Sequence, residues 1–241
     1  MKWALIVGAS GGIGQQIIDD LAVQGWSLYL HGNHHMTVIN QKIATLQTKY
    51  PQQEFIPIQA DLLTPTGIDQ VVNSLFQLDA LIYTSGITYY GLLTEQTSQQ
   101  WEELWQLHVK VPMMLCQRLQ TKLAHAHCGR IVLLGSVYGK AGSAMEVAYS
   151  TMKGAQSAFA KAYAQEVASL GITINVIAPG AVDTPMNNIF SDNEKAAIDE
   201  AIPVGRFASP QEITYFVTTL LAKQASYLTG QTLYVTGGWL Y

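Results

Sequence analysis

Apolar residues fall in two alternating patterns along the chain. Short runs recur at Trp3–Val7, Ser27–His31, Phe55–Gln59, Ala80–Tyr83, Arg130–Leu134, Thr173–Ile177 and Thr232–Val235. Most are continuous rather than alternating, which fits strands buried on both faces of a parallel sheet. Between them, apolar residues recur at helical spacing. Residues 14–24 place Ile17, Ile18, Leu21 and Ala22 on one face, and Gly25 closes the stretch as a C-terminal cap. Further helices are predicted at 38–50 before Pro51, 66–78, 101–122, and 148–169 closed by Gly171. Two more are predicted at 194–201, within a polar stretch at 187–209, and at 210–223 after Ser209 as N-cap. Pro112 lies inside the 101–122 stretch and should bend it or mark a local break. Strands alternating with helices predict parallel βαβ units. The expected fold is one α/β domain over residues 1–241, a doubly wound seven-stranded parallel sheet with helices on both faces.

Composition narrows the partners. Of 241 residues, 49% are hydrophobic and only 12% charged, which suggests surface covered by a cofactor or by other subunits. A chain of this length buries roughly three-quarters of its unfolded surface and needs no staples. The net charge is −4 and no basic stripe exists, so nucleic acid and anionic membrane are poor candidate partners. Cys116 and Cys128 form no CxxC, which fits a reducing cytoplasm. The N-terminal apolar run is too short to span a bilayer and reads as a strand.

Two motifs carry chemistry. Gly8-Ala9-Ser10-Gly11-Gly12-Ile13-Gly14 follows the first strand and opens a helix. Glycines there permit a tight turn and close approach to a pyrophosphate, while the helix start supplies N–H donors, as in Rossmann dinucleotide sites. Alone, such a turn can be purely structural. The second motif is Tyr149 and Lys153, four residues apart on a predicted helix and so on one face. An adjacent ammonium is expected to lower the phenol pKa, giving a group that trades a proton with an alkoxide. Ser136 follows the fifth strand, at its C-terminal end, where ligands bind in open α/β sheets, and can hydrogen-bond a carbonyl oxygen. A plain amphipathic surface pair would give the same spacing.

The segments VGASGGIG (7–14), ADL (60–62), GRIVLLGSVYG (129–139), YSTMK (149–153), NVIAPGAVDTPM (175–186) and YLTGQTLYVTGGW (227–239) together resemble the short-chain dehydrogenase/reductase family over essentially the full chain. The resemblance implies that Gly8, Ser10, Gly12, Ile13 and Gly14 line the cofactor phosphates, and that Asp61 and Leu62 flank the adenine. It implies that Ser85 and Gly86 lie near a ribose, and that Tyr149 and Lys153 also contact the nicotinamide ribose. Pro179, Gly180, Val182 and Thr184 would hold the nicotinamide end. Three positions depart from the family pattern. Val7 stands where a threonine is usual, an expected loss of one hydrogen bond that loosens the turn near Ser85-Gly86. Tyr83-Thr84-Ser85-Gly86 replaces Asn-Asn-Ala-Gly. His108 replaces the helical asparagine of the catalytic tetrad. Histidine titrates near neutrality and can hold a water, so His108 is expected in the proton relay; a local packing role is the alternative.

After the second strand the chain reads Leu30-His31-Gly32-Asn33-His34-His35, with no carboxylate to repel a 2′-phosphate. Asn33 and His34 are therefore expected to favour NADP(H) over NAD(H). No metal is expected, since no Cys, Asp or Glu partners the histidines at ligand spacing, and His125 and His127 read as solvated loop residues. The general pattern resembles 3-oxoacyl-acyl-carrier-protein reductases. The detail around Leu107-His108-Val109, Ser85-Gly86, Glu146-Val147-Ala148-Tyr149 and 180–184 resembles a smaller Gram-positive group, the elongation factor P 5-aminopentanone reductases. That likeness implies reduction of a ketone on a modified lysine of elongation factor P. Glu146 would suit its amine, and Asp192, Glu194, Asp199 and Glu200 outnumber Lys195 and Arg206 near the expected site mouth. An acyl-carrier-protein thioester or another carbonyl substrate, and a non-enzymatic NADP-sensing role, stand as alternatives. The resemblance also implies a homotetramer or dimer through the helices at 101–122 and 148–169, and a segment at 187–205 that closes over substrate.

Overall fold

The computed structural model describes residues 1–126, 128–185, 187 and 190–239. The strands are β1 (Lys2–Val7), β2 (Trp26–Gly32), β3 (Phe55–Gln59), β4 (Ala80–Tyr83), β5 (Arg130–Leu134), β6 (Thr173–Pro179) and β7 (Thr232–Val235). They form one sheet in the order β3-β2-β1-β4-β5-β6-β7, parallel throughout. Strand order runs outward in both directions from the β1–β4 pair, so the crevice above their carboxyl ends is the place where a ligand binds in such sheets.

The helices are α1 (Gly12–Val23), α2 (Met36–Lys49), α3 (Gly67–Asn73), α4 (Ser98–Trp105), α5 (Val111–His125), α6 (Tyr138–Ala141), α7 (Val147–Val167), α8 (Asp192–Ala201) and α9 (Pro210–Leu221). Each sheet face has its own core. One joins Leu5, Val7, Leu81 and Leu133 to Leu115 and Leu119 of α5 and Ala160 of α7. The other joins Ala4, Ile6, Leu28 and Leu30 to Ile17 and Leu21 of α1, Ile39 of α2 and Val217 of α9. Alternate residues of β1 thus enter opposite cores, which is why its apolar run is unbroken.

The fold departs from expectation in four places. The 66–78 stretch is helical only through Asn73; Leu75 and Leu78 still reach the core from a turn. Gly67 lies so close to Asp61 that a Cβ would stand 2.0 Å from the Asp61 carbonyl oxygen, so the β3–α3 connection requires glycine there. The 101–122 stretch is two helices, α4 and α5, joined by a π-helical turn at Gln106–Lys110, with Pro112 in the first turn of α5. Helix α6 carries too few residues for periodicity to reveal it, and Gly142 (φ +74°) ends it. His125 closes α5 rather than lying in a loop; His127, and Met186 of the 175–186 segment, fall outside the described residues. Among the described residues no helix is long and apolar enough to cross a membrane.

Candidate active site

The glycine loop joins β1 to α1 under tight backbone constraint. Gly8 has φ +88°, and a Cβ there would lie 2.7 Å from the Ser85 nitrogen. At Gly14 a Cβ would lie 2.3 Å from the Gly8 carbonyl oxygen. A Cβ at Gly12 would come 3.0 Å from Thr184 Cγ2, so the loop and the 180–184 segment face each other. Val7 does not loosen this turn. Thr84 Oγ1 donates to the Val7 carbonyl at 2.9 Å and lies 3.2 Å from that of Gly8, while the Thr84 N–H donates to Val7. The hydroxyl missing at position 7 is supplied from the neighbouring strand. Gly11 caps α1 without a side-chain acceptor, and no acid stands in the first turn. The N–H groups and positive end of the helix are open to an anion, which is what a dinucleotide pyrophosphate needs.

At the carboxyl end of β2, Asn33 Nδ2 and His34 Nε2 lie 3.3 Å apart, with His34 exposed. His31 is buried instead, its Nε2 3.1 Å from the Ala60 carbonyl, and burial lowers its pKa to about 4. Asp61 accepts from the Leu63 N–H at 3.0 Å, and Leu62 is buried.

Ser136, Tyr149 and Lys153 come together above β5. The Ser136 side chain stands near enough to the Tyr149 hydroxyl to lower its pKa. Lys153 Nζ donates to the Leu134 carbonyl at 2.6 Å and lies 5.5 Å from the Tyr149 ring centroid. Gly139 lets α6 approach α7, because a Cβ would stand 2.8 Å from the Lys153 carbonyl carbon. The electrostatics reverse the expectation from spacing. Tyr149 has a raised pKa, first by burial and then by the Glu146 carboxylate, against which the nearby Ser136 side chain works. Lys153 is 5% exposed, and burial lowers its pKa to about 7. Desolvation of the two groups outweighs their proximity. The arrangement therefore holds the phenol protonated at neutral pH, the state that can donate a proton.

Ser136 and Tyr149 border a cleft whose lining does not include Lys153. Ile13, Ser136, Glu146, Tyr149, Pro179, Gly180, Val182 and Thr184 all line it, together with Thr88, Tyr90, Tyr138 and Trp239. Gly8, Ser10, Ser85, Gly86, Asn33, His34, Asp61 and Leu62 lie outside this lining, along the carboxyl ends of β1–β4. Asn187 Nδ2 donates to the Val182 carbonyl at 2.6 Å.

His108 sits in the π-helical turn, 1% exposed. Its Nε2 lies 2.7 Å from the Ile87 carbonyl, so Nε2 carries the proton in the better-bonded tautomer. Its ring meets the Tyr149 ring edge-on, with centroids 5.3 Å apart at 90°. A Cβ at Gly86 would lie 2.4 Å from His108 Cε1, so the glycine makes room for the imidazole. Burial, and then the Lys153 charge, lower the His108 pKa to about 3. The expectation that it titrates near neutrality is overturned: the ring is neutral throughout the physiological range.

Glu146 is buried at the start of α7, and its Oε1 accepts from Thr88 Oγ1 at 2.7 Å. The ion pairs among the described residues, Lys42–Asp19, Arg118–Asp69 and Arg206–Glu212, do not include it. Of the acids near the expected site mouth, Glu194 closes a capping box with Ser191, and Arg206 pairs with Glu212. Sequence reasoning missed Thr88, and it missed Tyr83 and Gln156, which contact the π-helical turn. The one sequence signal for that pair was Pro112, whose missing N–H leaves a carbonyl in need of another donor.

Residues 8–240 match a family model described as enoyl-(acyl carrier protein) reductase. An uncharacterized oxidoreductase, YmfI, from Bacillus subtilis (strain 168) is 43% identical over 239 residues, covering 99% of this chain and 98% of the relative. The 3-oxoacyl-[acyl-carrier-protein] reductase FabG of Escherichia coli (strain K12) is 32% identical, covering 98% and 96% respectively. Among solved structures, L-sorbose reductase from Gluconobacter frateurii, complexed with NADPH and L-sorbose, superposes with a TM-score of 0.92 at 27% identity, covering 99% of this chain and 96% of that one. Full-length matches of this kind, with the glycine loop and the Ser136–Tyr149–Lys153 cluster both at the carboxyl ends of the strands, place the chain in the short-chain dehydrogenase/reductase family of oxidoreductases, related to the 3-oxoacyl-acyl-carrier-protein reductases.

Proposed function

We propose that this chain is an NADPH-dependent ketone reductase whose acid is Tyr149. The observation that carries the reading is that the Tyr149 phenol, held protonated by its raised pKa, lines one cleft together with Ser136. Gly8, Ser10, Gly12, Ile13 and Gly14 would hold the dinucleotide phosphates, with Asp61 and Leu62 at the adenine and Ser85 and Gly86 at the ribose. Asn33 and His34 would take the 2′-phosphate; the neighbouring stretch carries no carboxylate to oppose it. Pro179, Gly180, Val182 and Thr184 would hold the nicotinamide end, and the bound reduced nicotinamide supplies the hydride. Ser136 orients the substrate carbonyl through its hydroxyl, and Tyr149 delivers the proton to the developing alkoxide. Lys153 anchors the site through Leu134, and its low pKa makes it a ready proton carrier near pH 7. A raised phenol pKa suits the acid of a reduction better than the base of an oxidation. NADPH oxidation with a simple ketone tests this: Tyr149→Phe is expected to lose at least 1,000-fold in kcat, and a variant within tenfold of wild type would refute the assignment.

For the substrate, we propose the 5-aminopentanone group on a lysine of elongation factor P, reduced to the aminopentanol. The support is Glu146, a buried carboxylate beside Tyr149 in the cleft, with a hydroxyl but no cation for a partner among the described ion pairs. Tyr90, Tyr138 and Trp239 add aromatic faces to the same cleft, a setting that suits an alkylammonium. The similarity to acyl-carrier-protein reductases favours a second reading, a 3-oxoacyl thioester substrate. Intact mass of elongation factor P from a host lacking the gene separates the two. A modified factor lighter by two hydrogens, restored by wild type but not by Tyr149→Phe, supports the first. An unchanged mass eliminates it. As in related reductases, a dimer or tetramer through α4, α5 and α7 is the expected assembly, and light scattering tests it.

A further inference from the structure

The π-helical turn at Gln106–Lys110 is held open by side chains from two other elements. Pro112 has no N–H to return to the preceding turn. The Val111 N–H reaches the Gln106 carbonyl, the five-residue spacing of a π-helix. That leaves two carbonyls without the helix donor that residue 112 would supply: His108 at α-helical spacing and Leu107 at π-helical spacing. Both are buried, and buried carbonyls need partners. The Leu107 carbonyl accepts from the Tyr83 hydroxyl at 2.5 Å, and the His108 carbonyl accepts from Gln156 Nε2 at 2.8 Å. Tyr83 ends β4, and Gln156 lies on α7 one turn beyond Lys153.

We propose that Gln156 and Tyr83 are positioning residues for the reaction at Tyr149, acting as side-chain substitutes for the N–H that Pro112 lacks and so fixing His108 against the Tyr149 ring. Both are essentially inaccessible, at 1% and 0% exposure. Gln156 Oε1 is buried with no donor among the described residues. A leucine would fill the space without that penalty, so the glutamine is explained by its N–H donor. The widened turn leaves the His108 ring where Nε2 meets the Ile87 carbonyl and its edge meets Tyr149. Closing the turn into a regular helix would rotate His108 about the helix axis and break both contacts. Pro112, Gln156 and Tyr83 are thus one device, contributed by α5, α7 and β4.

The test rests on the ketone-reductase reading and uses the full-length protein with NADPH and a ketone. Gln156→Met keeps length and burial but removes the donor. It is expected to lower kcat at least tenfold while KM for ketone and NADPH changes less than twofold. Adding Pro112→Ala returns a backbone N–H to the turn, and the double variant is expected to recover at least threefold of that loss. A Gln156→Met kcat within twofold of wild type, or a double variant no faster than the single, overturns the proposal. If Gln156→Met does not fold, Tyr83→Phe removes the other donor and carries the same kcat expectation. Should the wild type reduce no ketone, the reductase reading fails separately. The ¹⁵N resonances of the His108 ring then decide, since the proposal requires them to shift in Gln156→Met and return in the double variant.

Discussion

Lys153→Met is expected to inactivate the protein and stabilise it at neutral pH. Lys153 is 5% exposed, and burial lowers its pKa from 10.5 to about 7. The folded pKa lies below the unfolded one, so between those values the unfolded chain binds more protons and stability rises with pH. One proton contributes a slope of about 1.4 kcal/mol per pH unit once the folded lysine is neutral. Integrated from pH 7 to 9, the gain is about 2 kcal/mol, and the residual cost at pH 7 relative to an unperturbed lysine is about 4 kcal/mol. The methionine removes this cost and loses the hydrogen bond to the Leu134 carbonyl, worth about 1 kcal/mol. A net stabilisation of about 3 kcal/mol at pH 7 follows, shrinking as pH rises. Urea unfolding of both proteins at pH 7, 8 and 9 measures it. Cys116 and the buried tyrosines also titrate above pH 8, but their contributions cancel in the difference between variant and wild type. Parallel stability curves, or a Lys153→Met protein less stable at pH 7, would refute the reasoning.

On the acid side, His31 and His108 have pKa values lowered to about 4 and about 3, so both stay neutral in the fold while the unfolded chain protonates them. Stability should fall as pH drops below 6.5 with a slope approaching two protons, read from denaturant midpoints; a His31→Gln variant should show one proton fewer. Gly86→Ala would put a Cβ 2.4 Å from His108 Cε1, and is expected to lower kcat at least tenfold, measured with saturating NADPH and a ketone. Thr84→Val removes the hydroxyl that ties the first turn to β4, and should cost about 1 kcal/mol in unfolding free energy and raise the NADPH Kd severalfold, measured by fluorescence titration.

Patterns confined to one stretch of chain were legible. The β3, β4, β5 and β7 bounds follow from short apolar runs between punctuating residues, and the proximity of Tyr149 to Lys153 follows from helical spacing alone. What could not be read depends on partners distant in sequence. Val7 looked like a lost hydrogen bond because Thr84, which supplies it, is 77 residues away. Pro112 signalled a break, but its form was set by Tyr83 and Gln156, from a strand and a helix on either side in sequence. Protonation was the least legible property. Spacing puts a lysine beside a tyrosine, and attraction alone would lower the phenol pKa; only the fold reveals how much water both have lost, and that loss reverses the sign.

Glu146 ties substrate recognition to the strength of the acid. Its carboxylate is the second cause, after burial, of the raised Tyr149 pKa. A neutral ketone leaves that negative charge in place, and the phenol gives up its proton against it. Under the proposed reading, a substrate ammonium pairs with Glu146 and offsets its charge, so Tyr149 becomes a stronger acid when the cognate ketone arrives. Glu146→Gln removes the charge and keeps an acceptor for Thr88 Oγ1. The two effects then carry opposite signs. Toward an aminoketone the variant loses the ion pair, worth about 1.5–3 kcal/mol, and kcat/KM should fall roughly 10- to 150-fold. Toward a neutral ketone of equal length it loses only the opposition to Tyr149, and kcat should hold or rise. A fall of equal size for both substrates would mean that Glu146 serves only to hold the start of α7, and the carboxylate would then say nothing about the substrate's charge.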